Sequence, residues 1–122
     1  MQIVARMLFI VLVMAMLYLA LTPGPLGSII ADGEQRHVLA FTMLPLIGSV
    51  GWPGLSLRLQ FVLYAMLGGT IEIAQEWMGL GRAGEWADWS VDCLATAAAL
   101  LVVGIIRGKV FPRPPASVPA TK

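Results

Sequence analysis

Glu72, Gln75 and Glu76, followed by Asp88 and Asp92, gather four carboxylates and an amide into one stretch of this chain. The first three are spaced i, i+3, i+4, which puts them on one face of a helix. Asp88 and Asp92 are four apart and share a face for the same reason. Arg36, Arg82 and the only histidine, His37, are the bases available to answer them. Carboxylates held close together repel, and need protons or cations to compensate. Three arrangements meet that need: a closed ion-pair network, a carboxylate–histidine metal site, or a cationic pocket for an anionic headgroup built on arginine forks. No spacing here is diagnostic of a metal ligand set, so neither a metal nor a cofactor is assigned. The sequence carries no Ser/His/Asp pattern, P-loop, dinucleotide fingerprint or thiolate metal motif. Without an identifiable nucleophile, Glu72 or Asp88 could serve only as an acid or base, which weighs against an enzyme.

The elements that hold these residues must be membrane helices. Of 122 residues, 58% are hydrophobic and 12% charged, whereas a soluble domain is about 25% charged. Such a chain cannot cover a polar surface, and a formal charge of +1 gives no case for nucleic acid. Four apolar stretches approach the roughly 20 residues that cross a bilayer: Ile3–Leu21, Val38–Leu57, Leu59–Met78 and Trp89–Ile106. Isolated strands would leave backbone groups unsatisfied in lipid, so all four are expected to be helices. The fold class predicted is all-α: a four-helix transmembrane bundle over residues 1–108, followed by a disordered, Pro-rich cytoplasmic tail over 109–122. Pro45, Gly48, Gly51 and Pro53 are expected to kink or end the second span. The first stretch is too long for a signal-peptide core and lacks a convincing cleavage site.

With four spans both termini share one side, together with the connection between spans two and three. That side holds Arg6, Arg58, Arg107, Lys109, Arg113 and Lys122; the other side holds Arg36 and Arg82. Six basic residues against two put both termini in the cytoplasm and the acids at the outer face. Spans three and four are expected to pack as a hairpin through Ala65, Gly68 and Glu72 on one side and Asp88, Asp92, Ala95, Thr96 and Ala99 on the other, since small residues let helices approach closely. Gly79 or Gly81 would end span three, and Asp88 would cap span four. Trp77, Trp86 and Trp89 read as interfacial anchors, and His37 as an interfacial residue bonded to an outer-loop acid. Thr96 is expected to bond a carbonyl of its own helix, Cys93 to be inert packing, and Arg6 to reach the interface. The inner halves of the spans carry almost no polar groups by sequence, which argues against a transport path.

The order Glu72-Ile73-Ala74-Gln75, Gly81-Arg82, then Asp88 and Asp92 opening the last span, resembles the signature of VanZ-like membrane proteins. His37 followed by Phe41, and the step Leu21-Thr22-Pro23 after the first span, fit the same pattern. The resemblance covers about Leu8 to Gly108. It departs where the family commonly has an aspartate four residues before the histidine: Gly33 stands there, with Asp32 one position off. Asp92 also stands in a place often held by asparagine. The family takes its name from a factor associated with resistance to teicoplanin, so the resemblance implies a role in the cell envelope of the cytoplasmic membrane. The site it implies draws on His37, Glu72, Gln75, Arg82, Asp88 and Asp92, with Glu76 added by helical spacing. A lipid-linked envelope precursor is the partner it suggests besides the bilayer. Proton-coupled or small-solute transport, and a structural subunit role, are the alternatives.

Overall fold

The computed structural model describes residues 1–22, 33–79 and 85–110. The described residues are helical: α1 (Gln2–Leu21), α2 (Gly33–Gly51), α3 (Leu57–Met78) and α4 (Trp86–Val110). α1, α3 and α4 are long and apolar enough to cross a membrane. α2 runs 19 residues but carries Glu34, Arg36, His37 and an internal Pro45, and falls short of that measure. The outward surface suits lipid, because Ile3, Met7, Met14, Met66, Leu94 and Leu101 are all more than half exposed. Patches of that extent do not persist on soluble monomers. The tail over 111–122 and the residues around Arg82 lie outside the described residues.

The helices run alternately up and down, so the start of α1 and the end of α4 lie at one end of the bundle. Direct bonds fix this arrangement: Arg6 Nε donates to the Gly51 carbonyl at 2.9 Å, and Arg107 donates to the Ser49 carbonyl at 2.9 Å. Both arginines meet the last turn of α2, where carbonyls lack helical partners and the dipole favours cations. α2 packs chiefly against α4 and α1, while α3 packs chiefly against α4. Phe41, Leu44, Tyr64 and Ile71 form the buried centre.

Local chemistry explains the boundaries. Ser56 caps α3 by accepting from the Leu59 amide, and Gly79 ends it with φ +58, a conformation that suits glycine. α2 begins a turn before the apolar run, so His37 lies inside a helix and not at its entry, and the helix stops at Gly51, one of the residues expected to kink or end it, short of the end of the apolar run at Leu57. Pro45 sits within α2 without ending it. Its missing N–H would have bonded the Phe41 carbonyl four residues back. Thr96 Oγ1 of α4 donates to that same carbonyl at 3.4 Å. The expectation that Thr96 bonds its own helix is thereby corrected: the proline leaves an acceptor that the neighbouring helix satisfies. Likewise Asp88 does not cap α4; the helix starts at Trp86, and the Asp88 amide donates to the Glu85 carbonyl.

Candidate functional site

The end of the bundle formed by the start of α2, the end of α3 and the start of α4 holds the buried charged groups. His37 lies in the second turn of α2, Glu72 one and a half turns before the end of α3, and Asp92 in the second turn of α4. His37 Nδ1 is 3.0 and 3.1 Å from the two Asp92 carboxylate oxygens, and 3.9 Å from Glu72 Oε1. Asp92 is fully buried, Glu72 is 2% exposed, and the His37 side chain is 12% exposed. Glu72 Oε2 accepts from the Glu85 backbone amide at 2.8 Å, while Glu72 Oε1 is buried without a hydrogen-bond partner among the described residues. Asp88, half-buried one turn before Asp92, lies within electrostatic reach of all three groups.

The surrounding residues are chosen for room and alignment. Gly68 of α3 faces Asp92 so closely that a Cβ there would meet Asp92 Oδ2 at 2.8 Å. The Phe41 ring lies nearly parallel to His37, with an interplanar angle of 12° and centroids 6.3 Å apart. Trp89 Nε1 donates to the Ala65 carbonyl at 2.9 Å, tying α4 to α3 just beside the carboxylates. The small face of α3 and the acidic stripe of α4 therefore meet as their spacing predicts.

The set drawn from the sequence divides. His37, Glu72 and Asp92 converge, with Asp88 nearby. Glu76 shares the nominal face of Glu72 but is exposed, so it stands apart from the cluster. Gln75 is buried and points elsewhere, donating through Nε2 to the Ala20 carbonyl of α1 at 3.0 Å. Arg82 lies outside the described residues. Two expectations are corrected. His37 pairs with an acid of a helix, Asp92, in place of a loop acid. Trp89 is half-buried and bonded across the hairpin, whereas Trp77 and Trp86 are largely exposed as interfacial anchors would be.

A second buried polar group lies at the opposite end and was not singled out from sequence. Ser49 Oγ donates to Gln60 Oε1 at 3.0 Å, and Gln60 Nε2 donates to the Leu55 carbonyl at 3.2 Å. Gln60 is the one amide or charged residue in the run Leu59–Ile71 of α3, and that isolation was the available signal. Tyr64, between the two ends, donates to the Leu44 carbonyl at 3.2 Å.

An apolar groove of about 330 Å³ opens between α1 and α2. Leu12, Met16, Leu19, Leu39 and Met43 line it, together with Arg36 and His37. The imidazole thus belongs both to the carboxylate cluster and to the wall of the groove. Comparison with family models, with curated proteins and with solved structures finds no match to this chain.

Proposed function

We propose that this chain is a protein of the cytoplasmic membrane, with both termini in the cytoplasm, that binds an anionic lipid-linked component of the cell envelope at its outer end. The groove between α1 and α2 carries this reading. Its volume of about 330 Å³ lies in the range of roughly 300–1,000 Å³ that small-molecule sites occupy. An apolar tail would lie along Leu12, Met16, Leu39 and Met43, and an anionic group would meet Arg36, whose planar fork suits phosphate or carboxylate. Charge supports the orientation: among the described residues Arg6, Arg58, Arg107 and Lys109 belong to one end, and Arg36 belongs to the other, together with Glu34, Glu72, Glu76, Glu85, Asp88 and Asp92. The resemblance to VanZ-like proteins supports an envelope role. Lipids retained through purification in mild detergent, identified by native mass spectrometry, test the reading. Arg36→Ala is expected to deplete anionic lipid selectively, and Ala40→Trp, which fills the groove, to deplete all groove-bound lipid. Identical lipid profiles in wild type and both variants would refute it.

Proton or solute transport draws one observation in its favour: buried Thr96 and Tyr64 in the middle of the bundle, and Ser49 and Gln60 at the end opposite the carboxylates, carry polar groups, contrary to the nearly apolar inner halves expected from sequence. Yet the Thr96 and Tyr64 hydroxyls donate to backbone carbonyls. A carbonyl has no proton to pass on, so these contacts act as staples between helices and not as links in a relay.

A further inference from the structure

We propose that His37, Glu72 and Asp92 form a binding site for a divalent first-row transition metal of the Zn²⁺ class, with one ligand from each of α2, α3 and α4. The inference goes beyond the lipid reading and does not depend on it. Geometry comes first. One ligand atom from each residue lies within 4.8 Å of the other two, and the three side chains are buried or nearly so. Ligands about 2.0–2.2 Å from a tetrahedral zinc stand roughly 3.3–3.5 Å apart. The imidazole Nδ1 stands 3.0 Å from Asp92 Oδ1 and 3.9 Å from Glu72 Oε1, on either side of that spacing, and the two carboxylates lie within 4.8 Å of each other.

Two further observations point to a cation. Glu72 Oε1 is buried, faces the imidazole and, among the described residues, has no hydrogen-bond donor. Buried acceptors in native proteins almost always have a partner, so a lone one asks for an explanation such as an ion. Charge gives the second: a protonated imidazole supplies one positive charge against two buried carboxylates, with Asp88 adding a third acid nearby. A divalent ion with a neutral imidazole balances the pair. The donor set of one nitrogen and two carboxylate oxygens suits Zn²⁺, Fe²⁺ or Mn²⁺.

The surroundings behave as an outer shell does, orienting ligands through hydrogen bonds and packing. The Glu85 amide holds Glu72 Oε2 and leaves Oε1 facing inward. Phe41 fixes the plane of the imidazole, and the missing side chain at Gly68 admits Asp92. Three protein ligands leave a coordination position open, as in zinc sites that bind water or substrate. His37 also borders the apolar groove, so that position lies beside a space able to take a lipid.

The single histidine makes the test direct. Protein carrying ¹⁵N-labelled histidine and no histidine tag would be stripped with EDTA in detergent and titrated with Zn²⁺. The imidazole nitrogen signals are expected to shift and saturate at one equivalent, and the bound protein to melt at higher temperature, because an ion joining three helices stabilises the fold that holds it. Glu72→Gln, which keeps an acceptor for the Glu85 amide, is expected to weaken uptake by about 100-fold or more, since even outer-shell changes cost about 10–100-fold. Glu76→Gln, at an exposed position, is expected to leave uptake unchanged. Imidazole signals that ignore Zn²⁺ in folded wild-type protein would overturn the proposal. So would uptake that Glu72→Gln leaves intact, or that Glu76→Gln abolishes.

Discussion

Gly68→Ala probes the close approach of α3 to Asp92 with the addition of a single methyl group. The new Cβ would lie 2.8 Å from Asp92 Oδ2 and 3.3 Å from the Phe41 ring. Ordinary contact begins near 3.4 Å, so the carboxylate must retreat by about 0.6 Å. It is held to His37 Nδ1 at 3.0 and 3.1 Å, and turning it loosens that hold. Overpacking of this kind costs about 1–3 kcal/mol. Against it, replacing a mid-helix glycine by alanine gains about 0.8–1 kcal/mol of helix propensity. The net expectation is a loss of roughly 1 kcal/mol, measured by reversible unfolding in mixed detergent micelles.

The double mutant decides whether the reasoning is right. With Asp92→Ala in place the crowded oxygen is gone, and the approaches that remain are 3.3 Å to Phe41 and an ordinary 3.4 Å contact with the Cβ at position 92. Gly68→Ala should then be neutral or stabilising by up to about 1 kcal/mol, from propensity alone. The coupling between the two sites would be about 1–2 kcal/mol, large enough to measure for residues in contact. An equal penalty for Gly68→Ala in both backgrounds would refute the carboxylate clash as its source. Stabilisation in the wild-type background would show that α3 and α4 are less closely packed than these distances require.

Further outcomes follow from the same contacts. Thr96→Val should cost about 0.6 kcal/mol, the average for hydrogen bonds between membrane helices, and Pro45→Ala should remove that cost by restoring an amide for the Phe41 carbonyl; a Thr96→Val penalty unchanged by Pro45→Ala in the same unfolding assay would contradict the link. Arg107→Ala should destabilise by roughly 1 kcal/mol through the loss of a charged donor at the end of α2, and lysine, which lacks the fork, should restore only part of it; full retention of the melting temperature in Arg107→Ala would count against a clamp. Gln75→Leu should free the last turn of α1, read as faster amide exchange at Ala20 to Thr22 than in wild type, with little change in α3. Equal exchange in the two proteins would show that the Ala20 bond does not hold α1 in place.

Much of the fold was legible because lipid imposes simple rules. Backbone groups in lipid must be paired within a helix, so apolar length marked α1, α3 and α4 as long enough to cross a membrane, whereas α2 falls short of that measure. Gly79 and the small residues of α3 and α4 gave the hairpin, since glycine at positive φ and close helix approach both leave a mark on residue type. The beginning of α2 was hidden because its first turn is charged: hydropathy reports what lipid tolerates, and Glu34, Arg36 and His37 are helical but not apolar. The end of α2 left a mark in Gly51 and Pro53, although hydropathy alone runs on through the apolar connection from Trp52 to Leu55. Pairings such as Thr96 with Phe41 depend on which helices are neighbours, and periodicity within one helix carries no information about that.

The candidate site shows the same boundary from the side of chemistry. Spacing on α3 puts Glu72, Gln75 and Glu76 on one face, yet their fates differ: one meets His37, one reaches α1, one is exposed. A helical turn advances about 5.4 Å along the axis, and neighbours three or four apart also differ by tens of degrees around it. Those offsets separate the buried core from the rim of the bundle and direct Gln75 toward a different helix. Helical spacing therefore narrows the acids to a stripe, and burial against α2 selects among them. That selection requires His37 and Asp92 to lie at the height of Glu72, which the up-and-down packing provides because the fifth residue of α2 and the seventh of α4 face the last third of α3. A carboxylate that α2 did not cover would be solvated and chemically ordinary; Glu72 and Asp92 are set apart because a single imidazole, carried on the helix least suited to lipid, is packed against both.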